Sequence, residues 1–412
     1  MAIRTIDDAS LSNIADMIRL RLNVEDTYRP DQMAEAISRI SGVTEYWKAI
    51  GFNDTPPDIA DSYEKALDII ENWDGSITDR SNMLNGDDEI TIWPGVDMSE
   101  VTTLYKAFNG CDRLSSISLK NTSNVTNMQE MCSNSQNLRG FDGSPNFSSV
   151  TSIRAMLYGC ARWSQNIDWS LPNCTDFESA FEGLGTGSIS TPLSLSIKIN
   201  CPNAQTLHRI CATNDWASRR PIVSVELTTS SELSWLREAF ANCNQLEYVK
   251  ITDTSGVADG WRSAFTNCTS LTEIDGDLDM SHTGSLEYVF AGCTSLTSVT
   301  NIVMTSSSVY NASRMFEGCT ALEDVPILDI SNFGTQDYGT DRLYMMFNNC
   351  PNLTDESLDN ILQMCINSGI NPQYNPALAT LGFNSTNYPV SRMEDLPHYA
   401  DFTTAGWTLG YS

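Results

Sequence analysis

Apolar residues recur along most of the chain at an interval near 25 positions. Phe240, Phe265, Phe290 and Phe316 are separated by 25, 25 and 26 residues, and Phe347 follows after 31. Around them one short unit repeats: Val289-Phe-Ala-Gly-Cys-Thr-Ser-Leu296 matches Ala107-Phe-Asn-Gly-Cys-Asp-Arg-Leu114, Ala239-Phe-Ala-Asn-Cys-Asn-Gln-Leu246 and Met315-Phe-Glu-Gly-Cys-Thr-Ala-Leu322. Self-similarity at that period marks a stacked repeat architecture. Within one unit Leu286, Phe290 and Cys293 stand at helical spacing, which predicts a short helical turn with one apolar face. Leu296, Val299 and Ile302 then predict a short strand in the stretch 298–303. The expected fold is an α/β repeat solenoid, a leucine-rich-repeat-like stack of short helical turns and strands.

A single unit does not fold alone. About five buried apolar side chains contribute roughly 1.5–3 kcal/mol each, against about 1–2 kcal/mol per residue of backbone entropy for the whole unit. Stacked neighbours and sealed ends are required. The register loosens between about Ile167 and Ser231, where longer coils predict surface loops.

Outside the repeat the grammar changes. Leu11, Ile14, Ala15, Ile18 and Leu22 form one helical stripe, and Met33, Ile37 and Ile40 follow Pro30 in a second. A third is expected after Pro56-Pro57, with Ile59, Tyr63, Ala66, Ile70 and Trp73 on one face. Thr354-Asp-Glu-Ser opens a capped helix, and Ser391-Arg-Met-Glu394 a second capping-box start. These patterns divide the chain into a helical N-terminal attachment region (1–42), a helical linker or N-cap (43–88), the solenoid (89–353, with irregular coils at about 167–231) and a C-terminal cap (354–412).

Composition narrows the function. The formal net charge of −28 argues against a nucleic-acid partner, because phosphate contacts need clustered Lys and Arg. No apolar run approaches the roughly 20 residues that span a bilayer, so membrane insertion is not expected. The start of the chain lacks the apolar segment of a secretory signal. The twelve cysteines contain no Cys-x-x-Cys pair, which argues against zinc. Cys111, Cys160, Cys243, Cys268, Cys293, Cys319 and Cys350 fall in one repeat column and are expected as buried free thiols. Asp275-Gly-Asp-Leu-Asp279 has Leu286 where a calcium loop needs its bidentate Glu, so a turn is expected. No carboxylate pair is singled out for glycoside hydrolysis. No cofactor, metal site or catalytic residue is expected, and the chain is read as a non-enzyme.

Irregular coils are where a binding surface is expected. Trp169, Trp216, Trp235 and the Arg219-Arg220-Pro221 corner are the candidate receptor residues, because exposed Trp and Arg anchor interfaces. The competing and favoured reading of Trp163, Trp169, Trp216 and Trp235 is that they fill the wider coils in place of Leu and Cys, a role that suits Trp163 in particular.

Asn121-Thr-Ser-Asn-Val-Thr-Asn-Met-Gln-Glu-Met131 and the Met-Phe-Glu-Gly-Cys-Thr-Ala-Leu unit resemble the BspA-like bacterial surface leucine-rich repeats, over about residues 89–353. That resemblance implies a binding scaffold without a fixed ligand. Leu11-Ser-Asn-Ile-Ala-Asp-Met-Ile, Thr27-Tyr-Arg-Pro-Asp-Gln-Met-Ala-Glu-Ala-Ile37 and the closing Ala405-Gly-Trp-Thr-Leu-Gly-Tyr411 resemble the ends of phage structural and fibre proteins. The resemblance implies a virion-surface fibre or receptor-binding protein, held to virion structural proteins by its N-terminal region, possible as a homotrimer, and binding a host-surface glycan or protein. A secreted or cell-surface adhesin and a passive capsid or tail decoration protein are the alternatives.

Overall fold

The computed structural model describes residues 65, 66, 68, 69, 78–187, 194–213, 221–258, 260–304, 308–331, 343–370, 381–383 and 385–409. The helices expected over 1–42 lie outside these residues. Of the third expected helix, residues 65, 66, 68 and 69 are described as helical, with Ala66 fully buried.

Every described strand pairing is parallel, as stacking successive coils demands. β1 (Ile92–Asp97), β2 (Ser116–Lys120) and β3 (Phe141–Asp142) form one sheet. β4 (Ile167–Ser170), β5 (Leu195–Asn200), β6 (Ile222–Thr228), β7 (Tyr248–Ile251) and β8 (Glu273–Asp275) form the longest. β9 (Leu278–Asp279) and β10 (Ile302–Val303) pair separately. The strand expected over 298–303 is thus only its last two residues, with Ser298 making a single bridge to Asp324. A second parallel ladder of isolated bridges runs Asp79, Thr103, Asn127, Ser152, Asp176, Thr206, Trp235. It reaches back to Asp79, inside the segment read as a helical linker.

The expected helical turns are not helices. In the unit after Ser285, the N–H groups of Leu286, Tyr288, Phe290 and Gly292 donate to Asn311, Ser313, Met315 and Glu317 of the next coil, at 2.7–3.2 Å. Those of Val289, Ala291 and Cys293 donate to the carbonyl three residues back, at 3.0–3.3 Å. An α-helix would use every one of these donors internally. Alternating use instead gives a chain of tight turns that is also a rung of a sheet. Apolar spacing at i, i+4 and i+7 is satisfied by both, because Leu286, Phe290 and Cys293 are all buried.

Most such turn segments hold two residues in the left-handed region; that of Arg209 holds one. Tyr288 (φ 60°) and Gly292 (φ 77°) are third residues of turns, where a type II turn requires positive φ. The second of these positions is filled by Gly110, Asn134, Gly159, Gly183, Asn242, Asn267, Gly292, Gly318 and Asn349. Wherever this position is left-handed it holds one of the two residue types that tolerate the conformation best; Thr213, in the coil of Arg209, stands there without a positive φ. The recurrent Gly or Asn before Cys therefore has a backbone cause. The first position is occupied by Lys106, Glu130, Arg209, Glu238, Tyr288 and Arg314 among others. Their strain is held by the inter-coil hydrogen bonds on either side.

The cysteine column is buried, and all twelve cysteines are free. Each column thiol donates to a carbonyl one coil earlier: Cys268 to Phe240 (3.2 Å), Cys293 to Phe265 (3.1 Å), Cys319 to Phe290 (3.1 Å) and Cys350 to Phe316 (3.0 Å). Cys111, Cys160 and Cys243 do the same to Leu84, Cys132 and Cys211. Where the column holds Ser135, its hydroxyl donates to Phe108 at 2.6 Å. Leu184 takes the same place in its coil, buried and without a side-chain donor, so the column favours a small donor and accepts a larger apolar side chain. Beside it Phe240, Phe265, Phe290, Phe316 and Phe347 stack with centroids 5.2–5.6 Å apart and rings within 17° of parallel.

Phe383 extends that stack at 6.3 Å from Phe347 and belongs to the C-terminal cap. Tyr388 joins it to the last coil, donating to the Cys350 carbonyl and accepting from the Leu353 N–H. Helix α1 (Asp355–Asn367) begins as expected, with Thr354 capping the Ser357 N–H and Asp355 and Glu356 in its first turn. Helix α2 (Val390–Glu394) starts after Pro389 without a side-chain cap. Ser391 is therefore inside its first turn rather than capping it, since proline presets the helix entry. Helix α3 (Tyr399–Thr404) follows, and Phe402 and Trp407 are buried and stacked.

Candidate ligand-binding cleft

The parallel sheet is interrupted between β3 and β4, and a side chain replaces the missing rung. Gln165 accepts from the Phe141 N–H and donates to the Phe141 carbonyl, both at 3.0 Å. Its amide thereby copies the donor and acceptor of a strand residue. Gly140 makes room for it, since a Cβ there would sit 2.0 Å from the Gln165 amide carbon. Because a side chain and not a strand closes the gap, the surface opens into a cleft of about 390 Å³. That volume lies in the range of small-molecule sites.

Aromatic side chains form its floor. Phe141, Phe147 and Trp163 are buried, while Trp169 remains partly exposed. Trp169 packs on Phe147 (4.7 Å), Phe181 (5.8 Å) and Phe141 (6.0 Å). The two tryptophans have different roles. Trp163 is 1% exposed and its indole N–H donates to the Gln165 carbonyl at 2.7 Å, so it fills the core as expected. Trp169 shares the inward register of Ile199 in β5, yet it borders the gap where no strand covers it.

The rim is polar. Asp168, Asn166 and Asn146 are exposed. Asn166 Oδ1 accepts from the Ser196 N–H (3.0 Å) and Asn146 Oδ1 from the Ser148 N–H (2.9 Å). Their Nδ2 groups remain as donors and the Asp168 carboxylate as acceptor. Among the described residues that line the cleft there is one carboxylate and no Lys, Arg or His.

From Asp168 a row of alternating charge crosses the outer face of the long sheet. Asp168, Lys198, Glu226, Lys250 and Asp275 are successive register partners. Lys250 reaches Asp275 at 2.5 Å and Lys198 reaches Glu226 at 3.8 Å. The Lys250 ammonium and the Tyr248 hydroxyl hold the Asp275 carboxyl below its ordinary range. The segment 275–279 is thus an ion-paired strand end with Gly276 at φ 97°. Among the described residues, no three His, Cys, Asp or Glu side chains are grouped to hold a metal.

Trp235 is elsewhere. It sits on the second ladder, 43% exposed, where the other bridged coils place a polar residue. Asp79, Asn127, Asp176 and Asn311 each cap the N–H two residues on from that position, at 2.8–3.0 Å. Trp235 cannot, and in the next coil Gly260 admits no Cβ, which would lie 2.6 Å from Trp235 Cα. Trp169 and Trp235 therefore stand on different ladders. Trp216, Arg219 and Arg220 lie outside the described residues; Pro221 is buried. Sequence reasoning missed Gln165, Phe141 and Phe147. The Phe141 and Phe147 pair, two aromatics in one coil, was the available signal.

Parallel coils, a Phe stack and a cysteine column define a leucine-rich-repeat-type solenoid with an aromatic cleft in its sheet. Residues 224–354 match the family described as BspA type leucine rich repeat region. Residues 78–190 match the family described as Mycoplasma protein of unknown function, DUF285. Residues 224–354 thus carry BspA-type leucine-rich repeats. Among solved structures it is similar to a leucine rich cell surface protein from Faecalibacterium prausnitzii, at 18% identity and TM-score 0.28, covering 60% of this chain and 76% of that one. A leucine-rich repeat protein from Eubacterium ventriosum is similar at 13% identity and TM-score 0.29, covering 68% and 75%. One from Bacteroides ovatus is similar at 17% identity and TM-score 0.17, covering 55% and 76%. No curated protein matches the chain.

Proposed function

We propose that this chain is an adhesion scaffold, a surface-displayed protein that binds a ligand on another cell and catalyses nothing. The BspA-type repeats carry this reading and favour a bacterial cell-surface adhesin. The solenoid holds its coils rigidly through stacked rings and inter-coil hydrogen bonds, and a rigid array suits display better than chemistry. The cleft at the sheet break supplies the recognition surface. Purified protein should bind intact bacterial or host cells saturably, and Trp169→Ala should weaken that binding about tenfold, or about 1.4 kcal/mol. Absence of saturable binding to any cell type would remove the reading.

A second reading is favoured by the termini. The resemblance of Leu11–Ile18, Thr27–Ile37 and Ala405–Tyr411 to phage structural proteins supports a virion-surface fibre, anchored by residues 1–42 to virion proteins. Immunogold labelling separates the two: label on cell envelopes supports the adhesin, and label on phage particles supports the fibre.

A further inference from the structure

We infer that the cleft between β3 and β4 binds a neutral saccharide, with Trp169 as its platform and Asn146, Asn166 and Asp168 as its polar rim. The inference rests on the adhesion reading and names the ligand class of the same site.

The argument begins with which atoms remain available. Three of the four cleft aromatics are buried, and the Trp163 N–H is already committed to Gln165. Trp169 alone among them is partly open. Its indole N–H makes no hydrogen bond among the described residues, nor is it among the buried polar atoms lacking a partner, so it faces solvent. A ligand therefore meets one amphipathic aromatic, apolar in its ring and polar at its N–H. Around it stand two amide donors and one carboxylate acceptor. Adjacent hydroxyls on a pyranose ring offer both donors and acceptors, while its C–H face offers apolar surface, which matches this combination.

Charge excludes the competing ligands. The described lining has no cation and the whole chain carries a formal charge of −28. An acidic sugar, teichoic phosphate or sialic acid would bring its charge to the exposed Asp168, and the adjacent cation, Lys198 on β5, lies outside the lining and is already engaged by Glu226 at 3.8 Å. A quaternary ammonium would suit Asp168, but it is held by a cage of several aromatic faces. Here only one aromatic is reachable. A flat apolar peptide would leave the rim amides and the carboxylate unpaired.

The site is also preorganised. Gln165 is pinned at both ends of its amide, Asn166 is held by Ser196, and Asn146 by Ser148. Little side-chain freedom is lost on binding.

The full chain is applied to a glycan array carrying neutral, sialylated and phosphorylated oligosaccharides, with phosphocholine as a comparator. Neutral glycans should bind, and calorimetry with the best neutral oligosaccharide should give a millimolar or tighter Kd. Trp169→Ala should weaken that affinity at least about tenfold. Because Trp169 also packs on Phe147, Asp168→Ala provides a second variant at an exposed position; it should weaken binding several-fold with an unchanged melting curve. No neutral glycan bound, binding confined to sialylated, phosphorylated or phosphocholine probes, or affinity unmoved in both variants would each overturn the inference. Binding to intact cells with no neutral glycan bound overturns it while leaving adhesion standing. Neutral glycan binding with no cell binding supports it and removes adhesion.

Discussion

The residue scale is set by two columns with strict chemistry. At the position before the cysteine the backbone is left-handed, and at Gly292 a Cβ would lie 2.5 Å from Asn267 Oδ1. Gly292→Ala should therefore cost about 1–3 kcal/mol. Gly292→Asn should cost less, because Asn267 already donates to Asn242 Oδ1 at 2.9 Å and a third Asn would extend that ladder. Urea denaturation of both variants checks the order; equal losses would contradict the backbone argument. In the cysteine column burial pushes the Cys293 thiol up to about 12. At pH 8 the thiolate is about one part in ten thousand, so native protein should label slowly and react fully in urea. Cys293→Ser keeps a donor for the Phe265 carbonyl, as Ser135 does for Phe108. It should cost no more than about 1.5 kcal/mol, whereas Cys293→Asp buries an unpaired carboxylate at several kcal/mol.

Elements here are not independent units. β3 is two residues long and β4 does not pair with it, so the Gln165 amide is what spans them. Gln165→Ala should remove both bonds to Phe141 at a cost of about 1–2 kcal/mol. It should also widen the cleft, read as a rise in acrylamide quenching of the fluorescence component that Trp169→Phe removes, since the chain has nine tryptophans. An unchanged quenching constant would mean that the break is held by packing alone. The Phe stack sets a different kind of coupling. Phe290 lies between rings 5.4 and 5.6 Å away. Phe290→Ala should cost about 3–5 kcal/mol and Phe290→Leu less, since the same place in other coils holds Cys132 and Leu157, both fully buried.

The whole molecule depends on sealed ends. The last coil presents Phe347 and Leu353, which Phe383 and Tyr388 contact, while α1 bonds the preceding coil through Ser357 to the Glu323 carbonyl and Asn360 to the Val325 carbonyl. Deleting residues 354–412 should uncover this apolar end and give an aggregating or dye-binding protein in size-exclusion and ANS measurements. A monomeric, dye-silent truncation would show that the coils seal themselves. The formal net charge of −28 disfavours self-association between copies of the intact protein.

The amino-acid pattern alone determined the coil period, the buried Phe and Cys columns, the α1 start and the expectation of a leucine-rich-repeat-like solenoid. These are legible because burial repeats with the period and capping is local. What only tertiary structure decided was the conformation of the turn segment and the place of the cleft. Leu286, Phe290 and Cys293 satisfy helical spacing, but half of the intervening N–H groups are claimed by the next coil, which no window of one coil reveals. Trp163 and Trp169 are six residues apart in sequence and look alike there. They differ because Gln165 closes the gap over one and leaves the other at its edge, a consequence of which strands pair and which do not.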